Sequence, residues 1–156
     1  VKIQTISYDH PDAVALDGQA QAEYTRRYGS GDVTPLRSAY FDPPNGIYLL
    51  GYAADAPVAS GGWRAQDAPD EGYARGDAEL KRMFVVPEAR GQGLSRRILA
   101  ALEQSAREAG RIRMVLETGA LLAEAVRLYT SSGYAPTEGF GTYRGDPESV
   151  FFEKAL

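Results

Sequence analysis

The stretch Met83–Leu102, MFVVPEARGQGLSRRILAAL, decides how this chain is read. Its apolar run, Met83 to Val86, stops at Pro87. Gly91 and Gly93 follow in a short turn, and an amphipathic helix begins there. A helix N-terminus exposes unpaired backbone N–H groups and the positive end of the helix dipole. Glycine at that place has no Cβ to keep another group away from the backbone. Strand, glycine-rich turn and helix in succession therefore make an anion site. Arg90 at its lip, with Arg96 and Arg97 one turn in, makes the neighbourhood positive, although the whole chain carries a net charge of -4. A plain tight turn is the other reading of the same glycines. Two phosphate motifs are excluded: a P-loop needs a Gly-Lys pair, which the chain lacks, and a dinucleotide fingerprint needs a third glycine where Arg96 stands.

Working outward, 78–86 reads as a strand and 93–109 as a helix. Leu94, Ile98, Ala101, Leu102 and Ala106 recur at helical spacing, and Gly110 ends the run. A strand over 112–119 and a helix over 120–133 follow. Upstream, 1–7 alternates as a strand, and a helix runs from Pro11-Asp12 to Gly29. A loop with one short helix near 36–41 leads to a hairpin of strands 47–55 and 57–66 and then a polar loop, 67–77. The tail suggests two strands around a turn-rich middle. The order β-α-α-β-β-β-α-β-α-β-β predicts one domain over 1–156. Its mixed α/β sheet is mostly antiparallel, with a parallel pair where the 93–109 helix crosses over.

Composition narrows the function. The chain has 156 residues, 44% hydrophobic and 24% charged, as a soluble globular domain has. An acidic balance argues against nucleic acid as the main partner. With no cysteine, disulfides, thiolate metal sites and a cysteine nucleophile are excluded. The one histidine, His10, precedes a proline at a helix start and is expected to cap it, so no metal is expected. No apolar run approaches the roughly 18 residues of a membrane span, and no signal-peptide pattern is seen. The expected location is cytoplasmic.

The segment VVPEARGQGLSRRIL resembles the acyl-CoA motif of the GNAT superfamily of N-acyltransferases, Q/R-x-x-G-x-G/A after a strand and a proline. Arg90, Gly93 and Ser95 fill its three positions, Ser95 departing from Gly or Ala. The likeness extends in order along 46–156. ELKRMFV is similar to the family's fourth strand, VLETG to its fifth, AVRLYTSSGY to its L-Y-x-x-x-G-[FY] signature, and FFEKAL to its closing strand. The resemblance implies a sheet whose parallel pair splays, with helices on both faces. It implies acetyl-CoA as co-substrate, with its pyrophosphate on the turn Arg90, Gly91, Gln92, Gly93, Leu94, Ser95, Arg96. The pantetheine arm would lie along Met83, Phe84 and Val85, with the thioester carbonyl against the Val85 N–H. One departure stands out. Many members carry an asparagine between the fifth strand and the tyrosine; here that region reads GALLAEAV.

Amine acylation by a thioester needs a base for the ammonium and benefits from an acid for the thiolate. The resemblance makes Tyr129 the acid. The base is left open between Glu117 at the end of the fifth strand, Glu79 on the fourth, and no dedicated base. Tyr24, Tyr28, Trp63, Arg64 and Tyr143 are the expected acceptor contacts, and aromatics with arginines suggest a small amine that also carries an anionic group. An acidic protein equally suits a cationic polyamine or aminoglycoside. The leading expectation is an N-acetyltransferase of a small-molecule amine. The alternatives are a protein N-terminal or lysine acetyltransferase and a non-catalytic acyl-CoA-binding module. The resemblance allows a homodimer.

Overall fold

The computed structural model describes all 156 residues. Seven strands, β1 (Lys2–Thr5), β2 (Gly46–Ala53), β3 (Ala56–Gln66), β4 (Asp77–Val85), β5 (Arg113–Gly119), β6 (Ala135–Pro136) and β7 (Ser149–Ala155), alternate with three helices. The helices are α1 (Pro11–Tyr28), α2 (Leu94–Glu108) and α3 (Ala123–Ser131). The strands form one sheet in the order β1-β2-β3-β4-β5-β7-β6, and only β4 and β5 are parallel.

Local chemistry sets the helix ends. Pro11 opens α1, and His10 Nδ1 accepts the Asp12 N–H at 3.0 Å, so the single histidine is a cap. Gly29 closes it at φ 81°, donating to the Thr25 carbonyl at 2.9 Å. The apolar stripe of α2, Leu94, Ile98, Leu99, Leu102 and Ala106, is buried on one face of β2, β3 and β4. The opposite face carries α1. The short helix expected near 36–41 is a 3-10 turn, Ser38–Phe41, with Phe41 packed on Tyr8 and Tyr48. β6 is only two residues long. After one further bond, from the Thr137 N–H to the Phe151 carbonyl at 3.0 Å, the chain leaves the sheet, and 137–148 forms a long rim in which Phe140 is buried.

The feature that positions the site is the short union of β4 and β5. They pair only at Asp77↔Arg113, Ala78↔Met114 and Glu79↔Val115. Arg113 clamps this closed end with two hydrogen bonds of 2.7 Å to the buried Asp77 carboxylate. Beyond it the two strands no longer pair with each other, β4 continuing to Val85 on β3 alone and β5 to Gly119 on β7 alone. A bulge in β4 sets Arg82 and Met83 together opposite Gly61. Arg82 there takes φ 61°, a conformation that costs a non-glycine residue about 1 kcal/mol or more. Its guanidinium offsets this by bonding Asp17 of α1 at 2.7 Å and facing Asp32 at 3.3 Å.

Candidate active site

The splay opens a cleft of about 610 Å³ between β4, β5, the start of α2, α1 and α3. Backbone chemistry builds one end of it. The N–H groups of Gly91, Gln92, Gly93, Leu94, Ser95 and Arg96 donate to nothing in the protein. The first intrahelical donor is Arg97, bonded to the Gly93 carbonyl at 3.2 Å. Gly91 and Gly93 hold φ of 79° and 78°, and a Cβ on either would meet open space. These unsatisfied amides and open approaches fit an anionic group such as the pyrophosphate of CoA.

The exposed edge of β4 continues the row. Val86 N–H donates to Val58 O at 2.9 Å, and Val85 faces Ala59 in the next pair. Alternation of the antiparallel ladder then turns the Val85 N–H and C=O away from β3 and into the cleft. Arg90 Nε donates to the Val85 carbonyl at 2.9 Å, its Nη2 donates to Glu23 of α1 at 2.9 Å, and the guanidinium lies over the Phe84 ring. The N–H of Val85 is left for a ligand. Arg90 thus braces the strand edge beside the amides.

Tyr129 of α3 and Glu117 of β5 line the same cleft. Tyr129 is 5% exposed, and its hydroxyl makes no hydrogen bond within the protein. Burial, with Tyr24 and Glu117 adding to it, raises its pKa and keeps the hydroxyl protonated at neutral pH. Glu117 has no salt-bridge partner. Burial raises its pKa against the lowering effects of Ser149 and Lys81, so its carboxylate is a stronger base than an exposed glutamate.

Side chains from two distant loops build the other end. Asp32 accepts from Thr34, from Lys81 at 3.0 Å and from the Tyr143 hydroxyl at 2.8 Å. Tyr143 in turn accepts the Val33 N–H at 2.7 Å, tying the 30–34 loop to the 137–148 rim. Burial pushes the Asp32 carboxyl up, but Lys81, the Thr34 hydrogen bonds and Arg82 outweigh it and hold the carboxyl far below the usual range. Asp146, Glu148 and Ser149 complete the wall. Tyr28 lines it from α1, its hydroxyl accepting the Leu121 N–H at 3.1 Å and filling the space that Gly119 leaves.

Of the residues expected from sequence, Tyr24, Tyr28, Tyr143, Glu117, Tyr129, Met83, Phe84, Val85, Arg90, Gly91, Gly93, Leu94, Ser95 and Arg96 come together in this cleft. Gln92 offers its N–H at the turn, but its side chain is exposed and does not line the cleft. Glu79, Trp63 and Arg64 lie elsewhere. Trp63 points to the α2 face, where its indole N–H donates to Ser105 at 3.1 Å. Arg64 and Glu79 are bound to each other at 2.8 Å, with Gln66 and the Tyr73 hydroxyl also on Glu79. Sequence reasoning missed Asp32, Asp146, Glu148 and Glu23. Only Glu23 had a signal, since it stands beside Tyr24 in the helix that also carries Tyr28.

This cleft in a splayed mixed sheet defines a class of acyl-CoA-dependent enzymes. The family model described as the acetyltransferase (GNAT) family matches residues 15–134, and the chain belongs to that family. It is 30% identical over 132 residues to the uncharacterized N-acetyltransferase YjgM of Escherichia coli, covering 81% of this chain and 76% of that protein. It is 47% identical over 81 residues to an IAA acetyltransferase of Azospirillum brasilense, which is 52% of this chain and 53% of that protein's length. Among solved structures, a Klebsiella pneumoniae chain assigned as an acyl-CoA N-acyltransferase superposes with TM-score 0.79 at 31% identity, covering 99% of this chain and 97% of that one. A Thermoplasma acidophilum N-acetyltransferase in complex with coenzyme A shares the fold at TM-score 0.72 and 12% identity, over 100% of both chains.

Proposed function

We propose that the protein moves an acetyl group from acetyl-CoA to the primary amine of a small cationic molecule by direct attack. One observation carries the reading: the row of free amides, the open edge of β4, Glu117 and Tyr129 all open into a single cleft. The amides of Gly91 to Arg96 hold the pyrophosphate. The Val85 N–H meets the thioester carbonyl and stabilises the oxyanion that develops there. Glu117 takes the proton of the acceptor ammonium, releasing the amine for attack on the carbonyl carbon. As the C–S bond breaks, Tyr129 gives its proton to the departing thiolate, and the second proton that the nitrogen sheds on forming the amide restores the tyrosine, so the net proton released is the one on Glu117. No covalent enzyme intermediate forms, so a chain without cysteine is equipped for the chemistry. A cysteine-free chain using acetyl-CoA also suits the cytoplasm.

Charge supports a cationic acceptor over one with an anionic group. The cations at the acceptor end, Lys81 and Arg82, are already paired with Asp32 and Asp17. Arg64, which suggested an anionic group, lies outside the cleft. Glu117, Asp146 and Glu148 line it without ion-pair partners. The test is release of free CoA thiol from acetyl-CoA across diamines, aminoglycosides, amino acids and a basic peptide. Turnover with a small cationic amine above the amino acids supports the reading. Turnover of the peptide alone makes the protein a protein acetyltransferase, and no turnover with any amine overturns the enzymatic reading.

A further inference from the structure

Resting on the reading of Tyr129 as the acid, we infer that Tyr134, anchored by the buried Glu103 of α2, is the positioning residue that sets where the Tyr129 hydroxyl lies. The Tyr129 hydroxyl makes no hydrogen bond within the protein, so packing fixes its direction. Two rings supply that packing. Tyr134 meets Tyr129 edge-on, with centroids 5.7 Å apart and planes at 68°, and Phe152 lies at 6.5 Å. The backbone reinforces the nearer contact. Gly133 turns the chain back at φ 93°, and the Tyr134 N–H donates to the Tyr129 carbonyl at 3.1 Å.

Tyr134 is itself held from the far side. Its hydroxyl donates to Glu103 Oε2 at 2.7 Å, and Lys154 of β7 binds Glu103 Oε1 at 3.0 Å while lying over the Tyr134 ring. Glu103 is 6% exposed. A buried carboxylate is costly and is a poor device for stability alone. It is a good device for fixing one orientation of a ring, because a charge-assisted hydrogen bond is short and directional. Glu103 sits on the helix whose first turn carries the free amides. One rigid element therefore holds the anion cradle at its start and the anchor of the acid further along, and this fixes the spacing between cofactor and proton donor.

The test is a kinetic cycle of Tyr134→Phe, Tyr129→Phe and the double variant, with acetyl-CoA and a turned-over amine. Tyr134→Phe keeps the ring and removes the anchor. It is expected to lower kcat roughly 10-fold, as a misplaced catalytic group does, with the KM for acetyl-CoA unchanged. In the Tyr129→Phe background it is expected to cost nothing further, because it acts only through that hydroxyl. Full kcat in Tyr134→Phe, or losses that multiply in the double variant, would overturn the inference. Full kcat in Tyr129→Phe would instead remove the acid reading itself. If Tyr134→Phe does not show the wild-type melting shift with acetyl-CoA, the same cycle is run with Glu103→Gln, which keeps an acceptor for the hydroxyl. The same pattern with a smaller loss supports the inference, and additive losses reject it.

Discussion

The two ends of the cleft are made from different material. The end at α2 is backbone: consecutive amides from Gly91 to Arg96 and the edge of β4 at Val85. The other end is side chain: Asp32, Lys81, Tyr143 and Glu117, drawn from segments far apart in sequence. Backbone offers the same donors whatever the side chains are, so it suits a ligand that does not change. Side chains from loops can differ without disturbing the strands beneath them, so they suit the partner that defines specificity. Glu117 and Tyr129 sit where the two ends meet.

Variants at that junction should show the largest effect. Glu117→Gln and Tyr129→Phe should each lower kcat by about 100- to 10,000-fold and leave acetyl-CoA binding unchanged. Loss of acetyl-CoA binding in either would mean that the two ends are not separate. The wild-type pH profile sharpens the same point. Burial raises the Glu117 pKa, and the base must be deprotonated. The acid limb of kcat/KM should therefore fall at a pH above the ordinary glutamate value of about 4.3, and Glu117→Gln should lack that limb.

Asp32→Asn comes next and tests the side-chain end through stability. The folded pKa of Asp32 is depressed. Its contribution is therefore present above the unfolded carboxylate value of about 3.9 and lost as pH falls below it. Denaturant unfolding at pH 7 should show a loss of about 3–5 kcal/mol, since Lys81 and Arg82 lose a buried partner. The gap to wild type should narrow in strongly acidic buffer; a constant gap would mean that the charge on Asp32 is not what matters. Any kinetic effect should fall on the acceptor KM.

Gly93→Val breaks the backbone end. Forcing a β-branched residue to φ 78° costs about 1–2 kcal/mol, and its side chain stands in the ligand's approach. Calorimetry should show the acetyl-CoA Kd rising roughly 10-fold or more, with the acceptor KM unmoved. The smallest effect belongs to Trp63→Phe, on the far face of the sheet. It should cost about 1 kcal/mol in unfolding for the lost Ser105 hydrogen bond and change neither KM.

The same division explains what could be read from the chain in advance. The cradle is local: Pro87, Arg90, Gly91 and Gly93 follow one another and carry their own turn chemistry, so a sequence motif captures them. The strand-helix-strand crossover and the helix caps are local too. Asp32 is not. Its partners lie at Lys81, Arg82 and Tyr143, and nothing in SGDVTPL marks an aspartate that three strangers will bury. Trp63 was misplaced because successive residues of a strand face opposite sides, and it faces α2; Arg64 faces the other way but stands at the closed end of the sheet, opposite Glu79 and bound to it. Glu79 satisfied the expectation of an acid on β4, but β5 still pairs with β4 at that residue. The cleft begins only beyond it.

The central claim, a cleft whose backbone end binds acyl-CoA, is tested most directly by melting the purified protein with and without acetyl-CoA, using adenosine diphosphate as a control. Acetyl-CoA at about 100 times its dissociation constant should add roughly 2.7 kcal/mol of stability and raise the melting temperature clearly, with a smaller rise for adenosine diphosphate. A melting temperature unmoved by saturating acetyl-CoA would contradict the account and leave the free amides of Gly91 to Arg96 without the ligand assigned to them.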